Sequence, residues 1–352
     1  MKLRFYLFLL TWMAIGAVQS QDLHFSMFNM SPLTLNPAQT GAFEGTARIG
    51  GIYRDQWGSF LKDQFTTPSI YIDAPIIQGL RKQDWVGVGV SMFSDKAGTA
   101  ELTTAGSLFS ASYHAGLGKG NKHYFTVGVQ GGTVQRRIKL TNEGIRFEDE
   151  LSESVGGGGV GIGNGADRGI QEKASYTDIN LGFMLRSTLN EKTHSEFGFA
   201  LAHLGQPKYG LALTGGGQTG NKPEKGVGRP MRVTAHGLVK YQFSDKLAIE
   251  PSALIQLTTG GAEVVVQAMA GYGINEDFVL RMGPGYRVGD AGQVLLGMDY
   301  KRDLRVGVSY DVNLSSLSGV SKLQGGFELA ASYIVKIYKK PKISPAILCP
   351  QL

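Results

Sequence analysis

Residues 263–273 read Glu-Val-Val-Val-Gln-Ala-Met-Ala-Gly-Tyr-Gly. In an extended chain successive side chains point to opposite sides, so Val264, Val266, Ala268, Ala270 and Tyr272 share one face and Glu263, Gln267 and Gly271 the other. The pattern recurs: Val86, Val88, Val90 and Met92 oppose Gly87, Gly89 and Ser91, and Val306, Val308 and Tyr310 oppose Arg305, Gly307, Ser309 and Asp311. Segments of roughly ten residues with this alternation have the length of a tilted transmembrane strand. A soluble β-sandwich alternates too, and three features separate the two.

Strand count and connection length come first. Strands are predicted near Thr46–Trp57, Pro68–Pro75, Trp85–Phe93, Thr104–Gly116, His123–Gln135, Ala174–Ser187 and Glu196–Leu204. Seven more are predicted near Arg232–Phe243, Leu247–Leu257, Glu263–Gly273, Asp277–Arg287, Gly292–Tyr300, Leu304–Val312 and Gly326–Tyr338. Connections after even strands are mostly tight, whereas those after odd strands include the two longest, Arg136–Lys173 and Gly205–Met231. Short turns on one rim and long loops on the other mark a barrel of the outer membrane, and an even count leaves both chain ends on the short-turn side, expected to be periplasmic.

Aromatic residues gather at the strand ends, where interfacial girdles form: Trp57, Trp85, Tyr113, Tyr124, Phe125, Tyr241, Phe243, Tyr272, Phe278, Tyr286, Tyr300, Tyr310, Tyr333 and Tyr338. The face opposite the apolar one carries charge of both signs: Arg54, Arg186, Lys240, Glu250, Glu263, Arg281, Arg287, Asp299, Arg305, Asp311, Glu328 and Lys336. Unpaired charge is costly in an apolar core, but a barrel lumen holds water or paired ions. The expected fold is therefore an all-β, transmembrane antiparallel barrel of about fourteen strands, spanning 46–338.

Composition agrees. Of 352 residues 50 are glycine, 31 are Tyr or Phe, and only 18% are charged, unlike a soluble α/β enzyme with charged helix faces. Lys2 and Arg4, the apolar run Phe5–Ile15 and the small residues up to Ser20 form a secretory signal with cleavage expected before Gln21. That run is too short to span a bilayer as a helix, and no later run of about 18 apolar residues exists. A closed barrel is the other fold that satisfies backbone hydrogen bonds in lipid, and the lipid bilayer is accordingly one expected partner.

Residues 21–45 are expected to be a periplasmic leader broken by Pro32 and Pro37, and 339–352 a periplasmic tail broken by Pro341, Pro345 and Pro350. Either could tuck into the lumen or meet a periplasmic partner.

Other chemistries find little support. The net charge of +6 falls to +4 without Lys2 and Arg4, and the densest basic group, Lys336, Lys339, Lys340 and Lys342, reads as interfacial lysines at a strand end, so no nucleic-acid partner is expected. The six histidines lack ligand spacing and Cys349 has no second cysteine, so neither metal nor cofactor is expected. Gly156–Gly165 lacks the strand and helix that a phosphate loop requires. The run 143–153 reads as an acidic loop apex. The nearest approach to a nucleophile elbow, Gly89-Val90-Ser91-Met92-Phe93, ends on the wrong residue, and Ser112 with His114 lacks a third group, so no enzymatic activity is expected.

The opening Gln21-Asp22-Leu23-His24-Phe25-Ser26-Met27-Phe28, then Pro32, then Leu35-Asn36-Pro37-Ala38-Gln39-Thr40-Gly41 resembles the start of the PorP/SprF family. There a QDxxFSxY-like segment precedes a proline and LNPAxxG. Tyr53-Arg54-Asp55-Gln56-Trp57 resembles the family's YRxQW, Pro68–Pro75 is similar to its next segment, and Cys349-Pro350 resembles its terminal CPxF. Phe28 and Leu352 depart from the usual tyrosine and phenylalanine.

The resemblance implies an outer-membrane barrel of type IX secretion. Its expected partners are secretion components of the periplasm and outer membrane, and a secreted adhesin or other cargo carrying a C-terminal sorting domain, held at the cell surface. The competing expectation is a diffusion pore for small solutes, which a fourteen-strand barrel is wide enough to be.

Overall fold

The computed structural model describes residues 23–57, 65–81, 83–98, 101–118, 120, 122–139, 172–211, 213–214, 222–223, 228–316 and 318–337. The expected signal, the glycine run 156–165, the acidic loop 143–153, Tyr338 and the tail with Cys349 and Pro350 lie outside the described residues.

Fourteen antiparallel strands close into one barrel. They are β1 (Ala47–Gln56), β2 (Phe65–Gln78), β3 (Trp85–Ala97), β4 (Leu102–Leu117), β5 (His123–Arg137), β6 (Lys173–Asn190) and β7 (Thr193–Ala202). The two-residue ribbon of β8 (Leu213–Thr214) and β9 (Lys222–Pro223) stands apart from the barrel. The circuit resumes with β10 (Arg232–Gln242), β11 (Leu247–Thr258), β12 (Gly261–Gly273), β13 (Phe278–Arg287), β14 (Ala291–Tyr300), β15 (Leu304–Asn313) and β16 (Gln324–Val335).

Each strand pairs with its neighbour in sequence, β7 with β10, and the seam is β1 against β16, from Ala47 beside Val335 to Gln56 beside Gly326. Closure removes every free sheet edge, which is what the hydrocarbon region demands.

Side chains sort by parity. On β2, Ile70 and Ile72 are exposed while Ser69, Tyr71 and Asp73 are buried; on β4, Phe109 is 66% exposed beside buried Leu108 and Ser110. In water such an outer surface would be an aggregation hazard, but against lipid tails it is the favoured one. The connections 79–84, 118–122, 191–192, 243–246, 274–277 and 301–303 are short and share one rim with the start of β1 and the end of β16. Connections 138–172 and 203–231 leave from the other, which we call the long-loop rim. There β4, β5 and β6, of 16, 15 and 18 residues, exceed the 10 residues of β7, β13, β14 and β15 and form a raised wall.

The hairpin β3–β4 at that rim is braced by charge. Glu101 lies 2.9 Å from Lys96 and also pairs with Lys139. Bonding to Lys139, then Lys96, pulls the Glu101 carboxyl down from 4.5 to about 2. A depressed folded-state value means that the brace is complete above the ordinary glutamate range and is lost as pH falls through about 2. Following the Glu101 carboxyl by NMR in micelles should therefore give a midpoint near 2, and a midpoint at 4.5 would disprove the brace.

Three aromatic assignments change. Trp85 and Tyr124 face the lumen rather than the lipid girdle: the Trp85 ring stacks on His114 at 4.4 Å and 7°, and Tyr124 meets Trp85 edge-on. Trp85 shares its parity with Gly87 and Ser91, and Tyr124 with Thr126 and Gln130, all inward. Trp57, past the end of β1 with φ +63, turns over the cavity at the long-loop rim. Tyr113, Phe125, Tyr241, Phe243, Tyr272 and Tyr333 are exposed near the short-turn rim, and Tyr286 and Tyr310 near the other.

Candidate functional site

Residues 23–46, which the sequence could place in the lumen or against a partner, lie inside the barrel. The segment is a chain of tight turns: a 3-10 turn at Phe28–Met30, helix α1 (Pro32–Leu35) and a second 3-10 turn at Pro37–Gln39. Pro32 and Pro37 each open a turn, where a missing N–H costs nothing and the fixed φ helps.

Its apolar side chains make the barrel's interior core. Phe25, Met27 and Met30 cluster with Ile52 of β1, Leu295 of β14 and Ala330 of β16, and Phe28 and Leu35 cluster with Leu254 of β11 and Val265 of β12.

Three polar anchors fix this plug. The first is Ser26, whose every hydrogen-bonding atom is engaged. Its N–H donates to Glu328 at 2.6 Å, its hydroxyl donates to Asp311 at 2.7 Å and accepts from Arg54 at 3.1 Å and Arg287 at 2.9 Å, and its carbonyl accepts from Gln267 at 2.6 Å. Met27 N–H reaches the second Glu328 oxygen at 2.8 Å. Arg54 in turn bridges Glu328 at 2.5 Å and Asp311 at 3.0 Å. Glu328 is 0% exposed, so this is charge fully withdrawn from water and tolerable only because each carboxylate is both paired and hydrogen-bonded.

The second anchor is Asn36. Its carbonyl oxygen accepts from Ala38 N–H at 2.9 Å, and its amide nitrogen donates to the Phe183 carbonyl at 3.0 Å and contacts His236 at 3.1 Å. The third is the turn at Thr40 and Gly41. The Thr40 carbonyl accepts from Ser112 at 2.6 Å and from His114 at 2.8 Å; Gly41 N–H donates to Asp73 at 2.7 Å and its carbonyl accepts from Trp85 at 2.9 Å. Ser112 and His114 thus hold backbone, and the other ring nitrogen of His114 meets Thr126 at 2.9 Å, with no carboxylate in the array.

Lumen-facing glycines make room for this segment. A Cβ on Gly182 would stand 2.0 Å from Asn36 Oδ1, one on Gly128 2.4 Å from the Pro37 carbonyl carbon, and one on Gly87 2.3 Å from the Thr40 oxygen. With Gln130 donating to the Leu33 carbonyl at 3.0 Å and Gln39 donating to Glu196 at 3.1 Å, the plug reaches strands all round the barrel.

The remaining lumen charges flank it. Arg281 pairs with Glu250 and, at 2.8 Å, with Asp299; Arg305 meets Asp299 at 2.7 Å, and Lys240 lies 3.5 Å from Glu250. Arg287 lies 3.5 Å from Glu263 and 2.8 Å from Asp290, and Arg186 donates to the Ala42 carbonyl at 2.6 Å. Of the motif residues, Asn36, Pro37, Ala38 and Gly41 belong to the plug and its anchors, while Arg54, Gln56 and Trp57 line the long-loop end. Sequence reasoning missed Ser26, Asp73, Gln267 and Gln130 as partners.

Among the described residues a cavity lies on each side of the plug. One of about 490 Å³ at the long-loop rim is lined by His24, Arg54, Trp57, Arg232, Glu263 and Asp290 among others. The other, of about 680 Å³ at the short-turn rim, is lined by Phe43, Glu44, Trp85, Tyr124, Arg186 and Lys240 among others. Among the described residues no cluster of histidine, cysteine or carboxylate side chains is arranged to hold a metal.

A closed barrel with apolar side chains outward, paired charge inward and its own chain through the lumen is an outer-membrane β-barrel with an internal plug. Residues 17–333 match the family described as type IX secretion system membrane protein PorP/SprF. The chain belongs to that family. Comparison with curated proteins finds no match.

Solved barrels resemble it only distantly. The Ralstonia pickettii toluene transporter TbuX aligns at 11% identity over 88% of this chain and 94% of its own, with a TM-score of 0.47. The P. putida toluene transporter TodX aligns at 11% over 87% and 93%, with 0.43, and a Pseudomonas aeruginosa FadL homologue at 13% over 85% and 92%, with 0.42. Identities this low say nothing about what either barrel binds.

Proposed function

We propose that this barrel is a non-catalytic anchoring partner of type IX secretion that holds a secreted protein, through its C-terminal sorting domain, at the cell surface. The short-turn rim and the tail then face the periplasm and the long-loop rim faces outward, the orientation usual for barrels of this membrane. The observation that carries the reading is the filled lumen: a segment anchored by Ser26, Asn36 and Thr40 occupies the cross-section that a solute would need. What remains for function is the rims, and the outward one bears the two long connections and the raised wall of β4–β6.

The diffusion-pore alternative needs that same cross-section to be free, and the plug weighs against it. Pull-down of the intact protein from outer membranes should recover a secreted protein with a sorting domain; recovery of the barrel alone would refute the anchoring role.

A further inference from the structure

The plug has a direction. Leu23 and His24 lie beside Arg54, Gln56 and Trp57, at the long-loop end of β1, whereas Phe43, Glu44 and Gly45 line the cavity at the opposite rim, where β1 begins. Between them residues 25–41 fill the lumen, all but Asn29 and Thr34 of residues 25–40 being buried. The described segment thus enters the lumen at the long-loop rim and leaves it at the short-turn rim. The described carboxyl-terminal end lies at that other rim, with Ile337 N–H donating to Thr46 at 2.9 Å.

We propose that the segment 23–46 is a fifteenth pass through the membrane, made inside the lumen, which presents the amino-terminal end of the plug at the cell surface, on the long-loop rim. The proposal rests on the orientation given above. It makes the plug a strap with one end in each cavity.

Three single-cysteine variants in a Cys349→Ser background test it on whole cells with the small, membrane-impermeant thiol reagent MTSET. Ser316→Cys reports the long-loop rim, Asp245→Cys the turn between β10 and β11, and His24→Cys the outer end of the strap. An epitope inserted between Asp22 and Leu23, detected by antibody, gives a second reading that does not depend on how deep the thiol sits. The expected result is that His24→Cys and the epitope respond on intact cells as fully as Ser316→Cys does, while Asp245→Cys responds only after permeabilisation. If Ser316→Cys responds on intact cells but the epitope needs permeabilisation, the strap proposal is overturned and the orientation stands. If Ser316→Cys itself needs permeabilisation, the orientation is wrong and the strap falls with it.

Discussion

Removal of residues 25–41 should turn a barrel that does not conduct into one that does. The intact protein reconstituted in planar bilayers is expected to show no stable current steps, because the plug and its anchors fill the mid-section; the deletion should give large, long-lived openings, since fourteen strands enclose a lumen wide enough for water and ions. The wall left behind is suited to water, with Asp73, Ser112, Gln130 and Glu328 facing inward. A gentler variant, Gly182→Val, puts side-chain atoms where Asn36 Oδ1 now stands 2.0 Å from a Cβ position. Overpacking of that kind costs about 1–3 kcal/mol, so flickering current is expected rather than a steady opening. Large steady conductance from the intact protein would overturn the filled-lumen account and revive the pore.

Replacement of Arg54 by methionine should be the most damaging single change to stability. Arg54 is 3% exposed and is shared between Glu328 and Asp311. Truncation leaves two buried carboxylates facing each other with Arg287 alone to compensate Asp311, at 3.3 Å. Breaking a buried pair from one side costs about 3–5 kcal/mol. Arg305→Met supplies the contrast: its side chain is 43% exposed although bonded to Asp299 at 2.7 Å, and exposed pairs contribute about 0–1 kcal/mol. Urea unfolding in detergent micelles, followed by the shift in gel mobility of the folded barrel, should rank the two far apart. Equal losses would mean that the Ser26 anchor does not depend on its charge pairs.

The barrel was legible in the sequence because lipid imposes a period of two that nothing else in the chain competes with. All fourteen barrel strands fall within a few residues of the runs that alternation marks, as at 263–273, where Val266 and Tyr272 face out and Gln267 is buried. Where expectation failed, position along the strand had been given more weight than parity. Trp85 and Tyr124 sit at strand ends but share the inward parity of Ser91 and Gln130.

The plug was harder to read, and for a different reason. Phe25, Met27, Phe28, Leu33 and Leu35 follow neither a strand nor a helix period, because their partners are scattered over many strands rather than arrayed on one surface. A signal was nevertheless present. Gly87, Gly128, Gly182 and Gly198 fall on the inward face of four different strands, and each would carry a Cβ into the plug or a side chain that holds it. Inward glycine at mid-strand, where a lumen would otherwise hold water, marks a place where backbone comes close.

The Ser26 junction also bears on how the molecule is assembled. Ser26 precedes the first strand and Glu328 lies on the last, 302 residues later. The segment before the first strand and the last strand are therefore fastened to one another, and a barrel without β16 lacks the carboxylate that receives the Ser26 and Met27 amides. Seating of the plug and closure of the seam between β1 and β16 thus draw on one carboxylate, because Glu328 receives both the plug amides and Arg54 of β1.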